Sequence, residues 1–269
     1  NKIISGPGLL SNYDVLIKNF NSYTENSTSY KEKEEYEVFG SLLLKSSFPL
    51  KKEKEYSKNY IKPIIAFRYS PNNTKNISDK DVRIDYNNIF SLNRIGHDEI
   101  VEGGKSVSLG LELEKRNLQD EKFIGFNIAH SIRDKENNNL PTKSNLSDKR
   151  SDFVGNLSYM PNDKFNFEYN FSYDKNLNSS SYDSISALLT VNNFITNFDF
   201  ISEDGEVGNN ELIANSTTLK LNKQNNLQFN ISKDLKNDFT EYYNLIYSYE
   251  TDCLIASAEF NKKFYKDGS

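Results

Sequence analysis

Apolar and polar residues alternate with a period of two along most of this chain, and the stretch 239–264 shows the pattern most plainly. Phe239, Tyr243, Leu245, Tyr247 and Tyr249 occupy odd positions, broken only by Glu241, with Thr240, Asn244 and Ser248 between them. After the polar Glu250-Thr251-Asp252 the pattern restarts, with Leu254, Ala256, Ala258, Phe260 and Phe264 on even positions and Ser257, Glu259, Asn261 and Lys263 on odd ones. An extended strand sends such residues to opposite faces, which a helix cannot do, so this stretch predicts a strand hairpin around a tight turn.

The same reading predicts strands at 13–23, 36–48, 60–69, 106–114, 123–131, 152–160, 164–174, 182–191, 194–202, 211–222 and 226–233, roughly thirteen with the hairpin. In 164–174, Phe165, Phe167, Tyr169, Phe171 and Tyr173 alternate with Asn166, Glu168, Asn170, Ser172 and Asp174, an aromatic wall opposite a hydrated one. Most of these segments are close to the ~9–11 residues that a tilted strand needs to cross a bilayer. Strands of soluble sheets are more often about five or six residues long, and this many full apolar stripes would need an oversized dry core. The expected fold is therefore all-β: an antiparallel transmembrane β-barrel, partial, built as an up-and-down meander. A soluble β-sandwich or solenoid is the competing reading.

Link lengths point the same way, because outer-membrane barrels keep short turns on the periplasmic side and longer loops outside. The links 161–163, 192–193, 223–225 and 250–252 are short, and 132–151, 175–181, 203–210 and 234–238, between them, are longer. Carried backwards, this parity makes 70–105 an outside loop. It puts the charged 50–59 segment, with Lys51, Lys52, Glu53, Lys54 and Glu55, on the short side, where it fits least well.

Composition narrows the classes. A mean hydropathy of −0.71 and the lack of any run of about 18 apolar residues exclude helical membrane spans, but barrel strands pass that filter. Net charge is −5, with no basic stripe, so no nucleic-acid partner is expected. With one cysteine and two histidines there is neither a zinc site of usual spacing nor an internal disulfide, so Cys253 can pair only outside this chain. The 269 residues show no internal boundary and are taken as one unit. They begin Asn1-Lys2-Ile3 without methionine or a leader pattern, which predicts a removed signal or a piece of a longer protein. Without tryptophan, an aromatic belt has to come from Tyr and Phe. Tyr23, Tyr69, Tyr159, Tyr173 and Tyr249 are candidates, although tyrosine favours strands in general.

Catalytic chemistry is thinly represented. His130 ends the apolar face of 123–131 and is expected to be packed or interfacial. His97 with Asp98 and Glu99 would make a catalytic or metal cluster only if the loop folded to gather them, since adjacent residues on an extended chain point apart. No phosphate loop or nucleophile elbow occurs. The segment 204–210 resembles a calcium loop in composition, without the ligand spacing, and Lys31-Glu32-Lys33-Glu34-Glu35 is expected to be solvated loop. No catalytic residue, metal ligand or cofactor is assigned, and the chain is not expected to be an enzyme.

Several segments, taken in order, resemble the C-terminal barrel of the LptD (organic-solvent-tolerance) family of lipopolysaccharide-assembly outer-membrane proteins. They are 61–71, ending Tyr69-Ser70-Pro71, then 85–100, containing Phe90, Asn93-Arg94, Gly96 and Asp98, followed by Gly103 and Gly110-Leu111. Next come Ser151-Asp152-Phe153-Val154-Gly155, the stretch Tyr247-Ser248-Tyr249-Glu250-Thr251-Asp252-Cys253, and 259–267. The resemblance covers most of the chain and is weakest before Tyr60. It implies a barrel of about 26 strands, of which residues 1–269 form the C-terminal part, a fragment lacking the periplasmic jelly-roll, the first barrel strands and the closing strand.

The resemblance also implies lipopolysaccharide transport and assembly in the bacterial outer membrane, an LptE-like lipoprotein plug as partner, and contact with periplasmic lipopolysaccharide-bridge proteins through the missing N-terminal domain. It implies that Cys253 forms a disulfide to that domain, a buried unreactive thiol being the alternative. On this reading Asn166, Glu168, Asn170 and Ser172 face the lumen, and Phe165, Phe167, Tyr169 and Phe171 face outer-membrane lipid. Another porin or transporter barrel, or a secreted β-rich adhesin or carbohydrate-binding module, are the alternatives.

Overall fold

A computed structural model describes residues 2–4, 8–23, 35–96, 100–203 and 210–264. Its strands are β1 (Lys2–Ile4), β2 (Leu10–Ser22), β3 (Glu35–Ser47), β4 (Leu50–Lys54), β5 (Ser57–Ser70), β6 (Gly104–Arg116), β7 (Lys122–Arg133), β8 (Phe153–Asn162), β9 (Phe165–Tyr173), β10 (Ser180–Val191), β11 (Phe194–Glu203), β12 (Asn210–Lys220), β13 (Asn225–Asp234), β14 (Phe239–Glu250) and β15 (Ile255–Lys263). All lie in one antiparallel sheet. Fourteen follow each other as an up-and-down meander from β1 to β15, and β4 stands off this path, paired with β5 alone. The sheet is not closed: among the described residues β15 pairs only with β14.

The thirteen strands expected from periodicity are all present, and two short ones join them. β1 pairs with the start of β2. The charged 50–59 segment, expected as a short-side link, forms most of a hairpin in which β4 pairs with Ser57 to Ile61. Lys51 lies opposite Tyr60 with its ammonium 5.6 Å from the ring, so charge and strand geometry coexist there.

Register shows why Glu241 interrupts the alternation. Ser232 pairs with Tyr242 but Lys233 with Thr240, leaving Glu241 as the extra residue of a bulge. The bulge turns its carboxylate to the polar face, where Ser232 Oγ donates to it at 2.6 Å.

The core does not lie between two sheets. It lies between one face of β3–β8 and the described residues of two long connections, 71–96 with 100–103 and 134–152, folded back over that face. Ile77, Ile84, Ile89, Phe90 and Ile95 of the first connection and Leu140 and Leu146 of the second pack with Leu43, Ile64, Ala66, Ala129 and Val154 of the strands. The opposite face stays open: Ile17 is 75% exposed, Ile65 50% and Phe260 61%. Exposed apolar surface of this extent, on a single-layer sheet, marks a face built to meet lipid or another apolar partner.

Candidate functional site

The register carries Asn166, Glu168, Asn170 and Ser172 onto the face that bears the folded connections. Ser172 lies opposite Val154, which is fully buried against them, and its hydroxyl donates to Asp152 Oδ2 at 2.8 Å. Asp152 also accepts from Ser181 Oγ at 2.6 Å and Asn145 Nδ2 at 2.5 Å, tying β9, β10 and the second connection together.

Further along the sheet the same face forms rows of amides. Asn197, Ser216, Asn230, Asn244 and Asn261 are successive cross-strand partners from β11 to β15. Ser216 Oγ and Gln228 Nε2 donate to Asn230 Oδ1 at 2.7 and 3.0 Å, Asn230 Nδ2 donates to Asn244 Oδ1 at 3.1 Å, and Asn244 donates to Glu259. Each amide has more donor and acceptor capacity than these bonds use, so the rows offer hydrogen bonds in both senses, as sugars and water require.

Phe165, Phe167, Tyr169 and Phe171 stand on the other face. Phe171 stacks on Phe126 at 6.3 Å and meets Tyr169 at 5.5 Å and Tyr173 at 5.6 Å, all ring neighbours within one layer. It lies over Gly155, where an added Cβ would fall 2.5 Å from its ring, so the glycine makes room for the aromatic. His130 joins this face, stacked on Phe153 at 4.5 Å, a packed imidazole as its position on the strand predicted.

The described part of the first connection is tied down at several points. Asn72 Oδ1 accepts from Gly40 N at 2.8 Å, Ser108 Oγ donates to Ile89 O at 3.2 Å, and Tyr86 Oη donates to Glu112 Oε1 at 2.9 Å. Burial raises the Tyr86 phenol's pKa, the Glu112 carboxylate adds to this, and the hydroxyl remains a donor. Arg83 lies 3.4 Å over the Tyr182 ring and pairs with Glu203 at 2.9 Å, as does Lys143 of the second connection.

At the centre, Glu102 is 1% exposed and receives three guanidiniums. Arg94 grips it with two bonds of 2.6 Å, Arg68 Nη2 lies at 2.8 Å, and Arg133 contacts the same Oε1. Arg68 Nη1 donates to the Glu102 carbonyl at 2.6 Å and Arg94 Nη1 to Ser131 Oγ at 2.7 Å. Burial draws the Arg94 pKa down to about 10, which leaves it charged at neutral pH.

Cys253 is exposed in the short turn between β14 and β15. That turn is closed by Thr251 N donating to Leu254 O at 2.8 Å. It lies at the end of the sheet that carries the other short turns, as the loop parity predicted. His97, Asp98 and Glu99, nearly all of the 204–210 segment and the charged run before Glu35 lie outside the described residues. Among the described residues no group of three or more His, Cys, Asp or Glu is placed to hold a metal ion.

Sequence reasoning missed the folded connections and the arginine cluster. Two signals were available. A connection of more than thirty residues with Ile77, Ile84, Ile89, Phe90, Ile95 and Val101 needs somewhere to bury them. Alternation also fails at Ile64-Ile65-Ala66-Phe67, where both faces of β5 hold apolar residues because one of them is covered.

A comparison with the curated proteins gives no match. A family model does match: LptD, described as LPS transport system D, aligns with residues 12–246, which takes in β3 to β13 whole and most of β2 and β14. That family carries lipopolysaccharide at the outer membrane and is a transport and assembly family rather than one of enzymes. A meander of long strands, with amide rows on one side and aromatics on the other, matched over most of its length, belongs to the LptD family of LPS transport proteins.

Proposed function

We propose that this chain forms the C-terminal part of the barrel wall through which lipopolysaccharide reaches the outer leaflet, and that it breaks no bond itself. The amide face, with Asn166, Glu168, Asn170 and Ser172 and the rows of β11–β15, lines a hydrated lumen that passes the headgroup sugars and phosphates. The aromatic face, with Phe165, Phe167, Tyr169 and Phe171, meets lipid. An LptE-like lipoprotein plug contacts the inner rows, and Cys253 pairs with a cysteine of a periplasmic jelly-roll domain. That domain takes substrate from the lipopolysaccharide-bridge proteins. The unpaired edges of the open sheet are completed by further barrel strands, since backbone edges cannot stay unpaired in hydrocarbon.

One observation carries this reading: in a chain of this family, a single-layer sheet leaves its aromatic face uncovered and keeps the amide row of Asn197, Asn230, Asn244 and Asn261 on the other side, although Asn215 stands on the aromatic face. The test is a pair of neighbouring substitutions in the full-length protein. Phe167→Lys places a charge toward lipid, at a cost of about 2–4 kcal/mol near the midplane. It should abolish heat-modifiable assembly in the outer membrane, whereas Asn166→Lys should assemble normally. Equal tolerance of both, or the reverse order, refutes the assignment of faces. Cys253→Ser should remove a reducible cross-link on non-reducing gels; an unchanged band pattern refutes the pairing.

A further inference from the structure

The Glu102 cluster is unbalanced. Three guanidiniums, on Arg68, Arg94 and Arg133, are 3%, 2% and 7% exposed around one carboxylate. Burying surplus charge is costly unless a counter-ion reaches it. Arg94 spends its donors on Glu102, Ser131 and Ser106, whereas Arg68 donates to the Glu102 carbonyl through Nη1 alone and pairs with the Glu102 carboxylate through Nη2. Like the other two, Arg133 has only Glu102 as an ion-pair partner among the described residues, and its Nη2 has no hydrogen-bond partner; of the three it is the one that lines an open pocket, of about 420 Å³. Lys105, Ser70, Thr74 and the Gly103–Gly104 backbone line the same pocket.

The local backbone is fixed for this purpose. At Gly103 an added Cβ would fall 1.9 Å from Asn72 O, and Gly104 holds φ at +92°, so the chain passes close without side chains filling the space. Two acids also line the pocket, Asp134 and Glu136. Asp134 Oδ1 accepts from Lys105 N at 3.4 Å, which directs it to the β6 backbone. Counting the cluster, five cations including Lys105 and Lys135 face three carboxylates. The planar fork of Arg133 suits an oxyanion.

We propose that this pocket binds one small phosphate group, held by Arg133 with Lys105 at its mouth. A phosphate on a lipid headgroup sugar and free inorganic phosphate share this chemistry, and the binding does not depend on whether the barrel transports lipopolysaccharide.

The experiment titrates inorganic phosphate into the detergent-purified full-length protein and follows the ³¹P line width. Wild type should show saturable binding. Arg133→Gln should weaken it about tenfold or more, as expected for loss of a charge-assisted bond. Lys105 is exposed and outside the buried cluster, so Lys105→Gln keeps the fold intact and should still weaken binding several-fold. Competition by a phosphorylated glycolipid, but not by its dephosphorylated form, assigns the headgroup as the source; competition by neither assigns free phosphate. Titrations identical in wild type and Lys105→Gln, or the lack of any saturable phase, overturn the proposal.

Discussion

The two halves of this sheet share an apolar outer face and differ in what covers the inner one. Over β3–β8, the described residues of the 71–103 and 134–152 connections lie on the strands and bury Ile84, Ile89, Leu140 and Val154 almost completely. Over β11–β15 no described segment covers the amide rows, and their side chains bond to each other across the strands. The first half is therefore held by burial and by a charge cluster, and the second by backbone ladders with lateral hydrogen bonds. A strand meander can carry both because the inner face is not needed to stabilise the sheet in a bilayer, so evolution is free to fill it or leave it wet.

The largest separation between the halves should come from Glu102→Ala. It leaves three buried guanidiniums without their carboxylate, and breaking such an arrangement costs about 3–5 kcal/mol. Residues 71–103 should become protease-sensitive while the strands still assemble. The matching change in the other half, Glu259→Ala, removes an exposed carboxylate bonded by Asn244 and should leave the digestion pattern unaltered. Equal digestion of both variants would mean that Glu102 does not hold the connection in place.

Gly110→Ala comes next. A Cβ there would fall 2.4 Å from the Phe90 ring and 3.3 Å from Ile128 O, so the aromatic has to leave its seat on β6. Overpacking of this kind costs about 1–3 kcal/mol, read as a lower temperature for the heat-modifiable gel shift. Ala214→Val, on the uncovered inner face of β12 opposite Ser232, should move that temperature far less.

The difference between the halves also explains what was legible beforehand. Strand type and the two faces could be read from residues 165–173 or 243–249, because a strand whose faces meet different media must alternate. The Glu241 irregularity was visible too, but only pairing identifies it as a bulge. β5 was harder: with Ile64 and Ala66 buried under a connection and Ile65 and Phe67 exposed on the other side, the contrast between faces disappears. Arg68, Arg94, Glu102 and Arg133 are spread over two strands and a long connection, and no local spacing brings them together. Their meeting depends on the register of β5, β6 and β7 and on the path of the connection across them.

The smallest effect sharpens the account of the uncovered half. Asn230 sits in the middle of its row, accepting from Ser216 and Gln228 and donating to Asn244. If those bonds served folding, Asn230→Ala would cost as much as the changes over β3–β8. Partly exposed side-chain bonds exchange with water, and their net worth is about 0.5–1.5 kcal/mol each at most. The backbone ladder to β12 and β14 is unaffected by the substitution. The expected result is a barrel of nearly unchanged thermal stability with slower delivery of lipopolysaccharide to the cell surface. A large drop in stability with normal delivery would instead make the amide rows structural, and the two halves would then differ only in degree.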